Sequence, residues 1–202
     1  MQRWLWFSCF VSVAALSTSH CAPDGPNVTR TEKEKLPVLG SVPRFSLIDQ
    51  TGAEVGPHSL KGKPFVAAFM FTRCPSVCPR ITARMKEVQK AAASQPLPLQ
   101  LVSISVDPEF DTPAVLRAYA SKNGIDTVSW SLWTGPYETV ARAAEHGFKI
   151  GLSGKADLSK ADLGITHGSH LVLVDQALHI RGYYRSFDED VVERLIADLS
   201  RL

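Results

Sequence analysis

The stretch FVAAFMFTRCPSVCP, residues 65–79, decides the fold and carries the candidate chemistry of this chain. Its first seven residues, Phe65 to Phe71, form an uninterrupted apolar run, which is typical of a central strand buried on both faces. From Val77 the apolar residues recur at helical spacing, so a strand, a short loop and an amphipathic helix are predicted. Cys74 lies in this loop and Cys78 at the start of the helix. In open α/β sheets, ligands usually bind at this position, beyond the carboxyl ends of the strands.

Strand and helix patterns alternate along the rest of the chain. Further strands are predicted at residues 45–48, 99–106, 129–133, 170–175 and 179–184. Further helices are predicted at residues 112–119, 137–145 and 188–202. This order predicts an α/β fold of the thioredoxin-like type, with an added N-terminal β-hairpin and a C-terminal hairpin and helix.

Composition places the chain among ordinary globular proteins. Its 202 residues are 45% hydrophobic and 21% charged, which fits one domain plus a tail. The net charge is +2 and Lys and Arg do not cluster, so nothing points to nucleic acid as a partner. Four cysteines are too few for a disulfide-stapled scaffold.

The N-terminus resembles an export signal. Arg3 precedes an apolar run from Trp4 to Leu16, and small polar residues follow it, so residues 1–20 are predicted to be a signal peptide or an N-terminal anchor. The run is short for a membrane span, which needs about 20 apolar residues. Cys21 follows closely and is a candidate for lipid attachment. The polar residues 21–36 predict a flexible tether, so residues 37–202 would be held at the outer, periplasmic side of a membrane through the N-terminus only.

The cysteine pair has several interpretations. Inert core cysteines are disfavoured because a proline, Pro75 or Pro79, directly follows each cysteine. A structural disulfide would close too short a loop to constrain the unfolded chain. A redox dithiol and a pair of metal ligands remain. Redox pairs of this fold usually have two intervening residues, whereas Cys74 and Cys78 have three, which relaxes the geometry toward holding an ion.

A histidine near the cysteines would favour the metal site. His167 and His170 lie just before and at the start of the predicted strand 170–175, and the loop before this strand should lie beside the loop that carries the cysteines. His167 is predicted in a loop, free to turn toward the cysteines. His170 begins the strand, so the strand's alternation sets its direction and it is assigned no ligand role.

The chain resembles the Sco/SenC family of copper proteins over about residues 42 to 200. The residues that carry the resemblance are the cysteine motif at 71–79, then 103–108, 111–113, 130–135, His167 and 171–175. It implies a thioredoxin-like fold that holds copper, as Cu(I) or Cu(II), through Cys74, Cys78 and His167. Two thiolates and one imidazole are also a soft donor set that suits Cu(I).

Members of the family resemble metallochaperones or thiol reductants that serve the dinuclear copper centre of cytochrome c oxidase. The resemblance therefore implies a metal carrier, and it leaves a thiol–disulfide reductase activity open. Its partners would be the copper-accepting subunit of a respiratory oxidase and a thioredoxin-like reductant. Two departures from the family pattern are Ser76, where an acidic residue is frequent, and the hairpin turn 175–179, which lacks glycine.

Two questions stay open at this point. Asp107, at the end of the second long strand, is either a hydrogen-bond acceptor that supports the site or an ordinary loop residue. The main alternative function is a thiol–disulfide oxidoreductase that uses Cys74 and Cys78 on the cysteines of a partner. A peroxidase is a weaker alternative, because a peroxidatic cysteine needs neither Cys78 at this spacing nor His167.

Overall fold

The computed structural model describes residues 35–94, 98–154 and 164–202. The predicted export signal with Cys9, the candidate lipid site Cys21 and most of the predicted tether lie outside the described residues. Leu36, the last residue of that tether, is only 7% exposed and packs in the core. In the described part of the chain, no helix combines the length and the apolar character needed to cross a membrane.

The described residues include ten strands and four α-helices. The strands are β1 (Gly40–Ser41), β2 (Leu47–Asp49), β3 (Glu54–Val55), β4 (Phe65–Met70), β5 (Gln100–Ser105), β6 (Trp130–Thr134), β7 (Leu152–Ser153), β8 (Thr166–His167), β9 (His170–Val174) and β10 (His179–Arg185). The helices are α1 (Val77–Ala92), α2 (Pro113–Lys122), α3 (Tyr137–Arg142) and α4 (Val191–Leu199).

Eight of these strands form one sheet in the order β1-β10-β9-β4-β5-β6-β2-β3, and β7 pairs with β8 separately. Strands β4, β5 and β6 are parallel, and β9 runs antiparallel to β4. The predicted N-terminal hairpin is the antiparallel pair β2–β3, and the predicted C-terminal hairpin is β9–β10. The α/β, thioredoxin-like prediction is therefore confirmed.

Strand β4 lies in the middle of the sheet because both of its faces are apolar. Phe65 and Phe69 point into one core layer, while Val66 and Ala68 point into the other, and all four side chains are fully buried. Helices α1, α2 and α4 pack on the second layer, and the segment that contains α3 packs on the first. The loop after β4 thus emerges at the carboxyl edge of the parallel strands.

The bounds of three helices differ from the sequence prediction, and α2 runs to Lys122 instead of ending at residue 119. Helix α3 ends at Arg142 and the chain continues as a π turn, in which the amide of Phe148 donates to the carbonyl of Ala143 at 2.8 Å. This wider turn accompanies the burial of the Phe148 ring, 5.6 Å from that of Phe69. Helix α4 begins at Val191 instead of residue 188, because the amide of Asp188 is bonded in a preceding turn.

Candidate metal centre

The two cysteines occupy different depths at the start of α1. Cys74 is in the loop after β4 and is partly exposed, whereas Cys78 is in the first turn of α1 and only 1% exposed. The amide of Cys78 donates to the sulfur of Cys74 at 3.4 Å, and the amide of Phe71 donates to the sulfur of Cys78 at 3.5 Å. Both cysteines are free thiols.

The pKa values of the two thiols at the start of α1 are shifted in opposite directions. Burial acts to raise the pKa of Cys74, but backbone amides of the first helical turn donate toward its sulfur and lower the pKa below that of an ordinary thiol. Burial, together with the neighbouring Cys74, raises the pKa of Cys78 far above its ordinary value. Cys74 is therefore the more acidic thiol of the pair, and Cys78 is the buried, less acidic one.

His167 reaches the same place from a distant part of the chain. Its Nε2 atom lies 3.6 Å from the sulfur of Cys78, and its Nδ1 atom lies 3.1 Å from the carbonyl oxygen of Gly168. Burial lowers the pKa of His167, so its ring is neutral near pH 7. A neutral ring whose Nδ1–H donates to the carbonyl keeps the lone pair of Nε2 facing the sulfur, which is the form that ligates metals.

His167 lies in a short strand and not in a loop, so its predicted placement was wrong. It occupies β8 opposite Leu152 in β7, and this pairing fixes the direction of its side chain. Its ring packs edge-on against Phe71, with centroids 6.0 Å apart. His170 turns instead toward Tyr183, at 6.5 Å between centroids.

Among the three candidate ligands, Cys78 lies in the middle and contacts the other two. The described residues contain no group of three His, Cys, Asp or Glu side chains arranged as a ready-made metal site. Cys78 contacts both Cys74 and His167, so a metal bound by all three residues requires a small side-chain rearrangement. The donors themselves, two sulfurs and one imidazole nitrogen, fit a soft cation such as Cu(I).

Asp107 acts on the loop and does not contact a candidate ligand side chain. Its carboxylate accepts from the Nε and Nη2 atoms of Arg73 at 2.6 and 3.3 Å, and Arg73 directly precedes Cys74. The amide of Asp107 donates to the hydroxyl of Ser105 at 3.1 Å. Ser105 ends β5 and Asp107 follows it, and β5 lies next to β4. The contact of Asp107 with Arg73 therefore ties the cysteine loop to the sheet.

Asp111 is a buried carboxylate within the segment 111–113, and the sequence alone does not predict a role for it. It accepts from the amide of Thr72 at 3.0 Å and from the hydroxyls of Thr72 and Ser105. Burial raises its pKa, although these donors oppose the effect. In the sequence, the position of Asp111 just before the helix-capping Thr112 is the one local indication of a role. The partner of Asp111, Thr72, is 39 positions away, so no local pattern connects the two residues.

Comparison with known proteins identifies the family. The family model described as SCO1/SenC matches residues 35–202, which is most of the chain. The SCO1 protein homolog of Bacillus subtilis is 36% identical over 101 residues, covering 50% of this chain and 52% of that protein. The chain thus aligns with about half the length of this relative. A protein of Stutzerimonas stutzeri named for copper binding is 30% identical over 153 residues, covering 75% of this chain and 72% of that protein.

Solved structures of the same family share the fold. A SCO1/SenC family lipoprotein from Bacillus anthracis superposes with a TM-score of 0.73 at 34% identity, over 81% of this chain and 95% of that one. BsSco, described as a member of the Sco family of cytochrome c oxidase assembly proteins with a disulfide switch, gives 0.73 at 27% identity over 83% and 97%. Copper-bound ScoI of Bradyrhizobium japonicum gives 0.61 at 28% identity over 80% and 98%.

Proposed function

The chain belongs to the SCO1/SenC family, and from this membership we propose that it is a copper carrier that helps assemble the dinuclear copper centre of cytochrome c oxidase. Cys74, Cys78 and His167 are the proposed ligands. The observation that carries the proposal is the 3.6 Å approach of His167 Nε2 to the sulfur of Cys78, across 89 positions of sequence. Copper binding and oxidase assembly are named for relatives of this chain, which supports the same cargo and client here.

The proposed ligands fit a carrier because they differ in accessibility. Cys74 is the more open of the two cysteines, and its thiolate is available at lower pH. Cys78 and His167 lie deeper, and a neutral imidazole can bind a cation without first losing a proton. Few ligands at a partly open site let those of a partner enter before all of its own leave, in contrast to a closed four-cysteine zinc site.

Anaerobic titration of the reduced chain with Cu(I) tests this proposal. We expect one tightly bound copper per chain, and we expect it to be lost in Cys74→Ala and in Cys78→Ala, because each sulfur supplies one of three ligands. In the unprocessed, non-lipidated chain, Cys9→Ala/Cys21→Ala is the matched control, since it removes the two thiols outside the candidate site and should keep the copper. Unchanged stoichiometry in either Cys74→Ala or Cys78→Ala would refute the ligand assignment.

A thiol–disulfide oxidoreductase is the second candidate, and the opposite pKa shifts of the two thiols favour it. The Cys74 thiolate would attack a disulfide of a partner and release one partner thiolate, which takes up a proton. Cys78 would then lose its proton and displace the second partner sulfur. The products would be a Cys74–Cys78 disulfide and a reduced partner, and a thioredoxin-like dithiol would restore the pair. Exchange that persists in a variant without copper affinity would support this candidate.

We also propose that the protein is exported and held at a membrane by its N-terminus. The relative from Bacillus anthracis is described as a lipoprotein, which agrees with a lipid on Cys21. An uncleaved anchor formed by residues 1–20 would have the same effect on the folded domain.

A further inference from the structure

Two exposed phenylalanines flank the cysteine segment, and an arginine from that segment covers each ring. Phe110, in the loop after β5, is 43% exposed and lies 4.5 Å from the guanidinium carbon of Arg73. Phe187, in the loop before α4, is 37% exposed and lies 4.2 Å from that of Arg80. We call these four residues the aromatic rim. Arg73 adjoins Cys74, and Arg80 is two positions after Cys78. Each ring therefore contacts a side chain of the cysteine segment.

The arginines of the rim lie on either side of the cysteine pair in the sequence, Arg73 before Cys74 and Arg80 after Cys78. Cys78 is buried, and its far side is closed by Phe71 and by the core. Cys74 is partly exposed, and the following Pro75 and Ser76 are exposed. A ligand from another protein would therefore approach the sulfurs over Pro75 and Ser76, which lie between the ring-contacting Arg73 and Arg80 in the sequence.

The rim residues have the chemistry of a contact surface. Aromatic residues and arginine are the types that most often contribute strongly to protein–protein affinity, especially where stacking already orders them. Arg73 is held by Asp107, whereas Arg80 has no ion pair with any residue in the described ranges. Its guanidinium remains able to bind a carboxylate of a partner. Glu109, beside Phe110, is an exposed acidic residue, and its charge contributes to the raised pKa of Arg73.

We propose that the aromatic rim is the docking surface for the protein that receives copper. This inference rests on the proposed function. The partner presents its metal-binding loop over Pro75 and Ser76, apolar side chains against Phe110 and Phe187, and an acidic side chain opposite Arg80. The rim would orient the two metal sites toward each other without supplying a ligand.

Binding in the absence of copper tests the surface. The probe is the dye-labelled soluble domain that carries the dinuclear copper centre of the oxidase from the same organism, added to the reduced, metal-free full chain and followed by fluorescence anisotropy. We expect Phe110→Ala/Phe187→Ala to raise the Kd at least about tenfold. Arg80→Gln should weaken the dependence of binding on salt, because it removes one charge contact. Val128→Ala is the matched control, since Val128 is 88% exposed but precedes β6 at the opposite end of the parallel strands, and its Kd should not change.

Each other outcome has a defined meaning. No binding by the wild type, an unchanged Kd in the double variant, or an equal loss in Val128→Ala would overturn the docking surface. Self-association that the double substitution abolishes would assign the rim to a second copy of the chain and also overturn it. Copper titration of the same variants separates the two proposals, because the double variant should still bind one copper. A wild type that binds no copper, together with the expected rise in Kd, would refute the proposed function and leave the docking surface standing.

Discussion

His167→Ala is expected to abolish tight copper binding while leaving the fold intact. The substitution removes one edge-to-face ring contact with Phe71, worth about 0.5–1.5 kcal/mol. It also removes the hydrogen bond to the carbonyl of Gly168, worth about 0.5–1.5 kcal/mol. A total of about 1–3 kcal/mol is less than the free energy of unfolding of a typical domain, about 5–15 kcal/mol, so the variant should fold.

The loss of copper affinity should be much larger than the loss of stability. Removing a group that only orients a metal ligand typically lowers metal affinity about 10–100-fold. Removing the ligand itself should therefore lower the Cu(I) affinity by at least about 100-fold, since only the two cysteine sulfurs remain. The assay is anaerobic competition with a Cu(I) chelator of known affinity, with the Cu(II) spectrum as a second readout. Urea denaturation of the metal-free chain measures stability in parallel.

His170→Ala is a closely matched control. Its ring makes the same kind of perpendicular aromatic contact, 6.5 Å from Tyr183, so it should lose a similar packing energy. Among the described residues His170 forms no hydrogen bond with either cysteine, so the copper affinity of His170→Ala should equal that of the wild type. Thiol–disulfide exchange should largely survive in both variants, because it needs only Cys74 and Cys78. Equal copper affinity in the wild type and both variants would refute the ligand role of His167 and favour the oxidoreductase.

Two further predictions concern the thiols and the N-terminus. The pKa of Cys74 is lowered and that of Cys78 is raised, so Cys74 should react with iodoacetamide first as the pH rises from about 5 to about 9, and at a lower pH than an ordinary free thiol. Peptide mapping identifies the labelled cysteine. Preferential labelling of Cys78 would contradict the assigned order of pKa values. Removal of residues 1–34 should release the protein from membranes into the supernatant of a high-speed spin without detergent, whereas sedimentation of the shortened chain with membranes would contradict N-terminal anchoring.

Local patterns predicted the parts of the fold that depend on neighbouring residues. The apolar run at 65–71 predicted β4, the spacing of Val77, Ile81, Met85 and Val88 predicted α1, and Thr112 predicted the start of α2, where its hydroxyl accepts from the amide of Val115 at 3.4 Å. The two-residue strands β1, β7 and β8 were not predicted. Strands this short carry no periodic signal, and their hydrogen-bond partners come from elsewhere in the chain.

For the candidate site, the sequence by itself determined the donor types and the position of the cysteine pair. The position of Cys74 and Cys78 directly after a buried strand predicts that both lie at the carboxyl edge of the sheet. The resemblance to the Sco/SenC family then named His167 as their partner. These inferences succeed because strand burial and helix initiation are set by residues within a few positions of one another.

Only the tertiary structure decided which side chains meet across the sheet. The pairing of β8 with β7 turns His167 toward Cys78 and leaves His170 facing Tyr183, although the two histidines are three positions apart. The order of β4 beside β5 likewise brings Asp111 under Thr72. These contacts span 39 to 89 positions of sequence. The physical reason is that strand order and register, which arise from packing of the whole core, set the distance between residues that no local pattern connects.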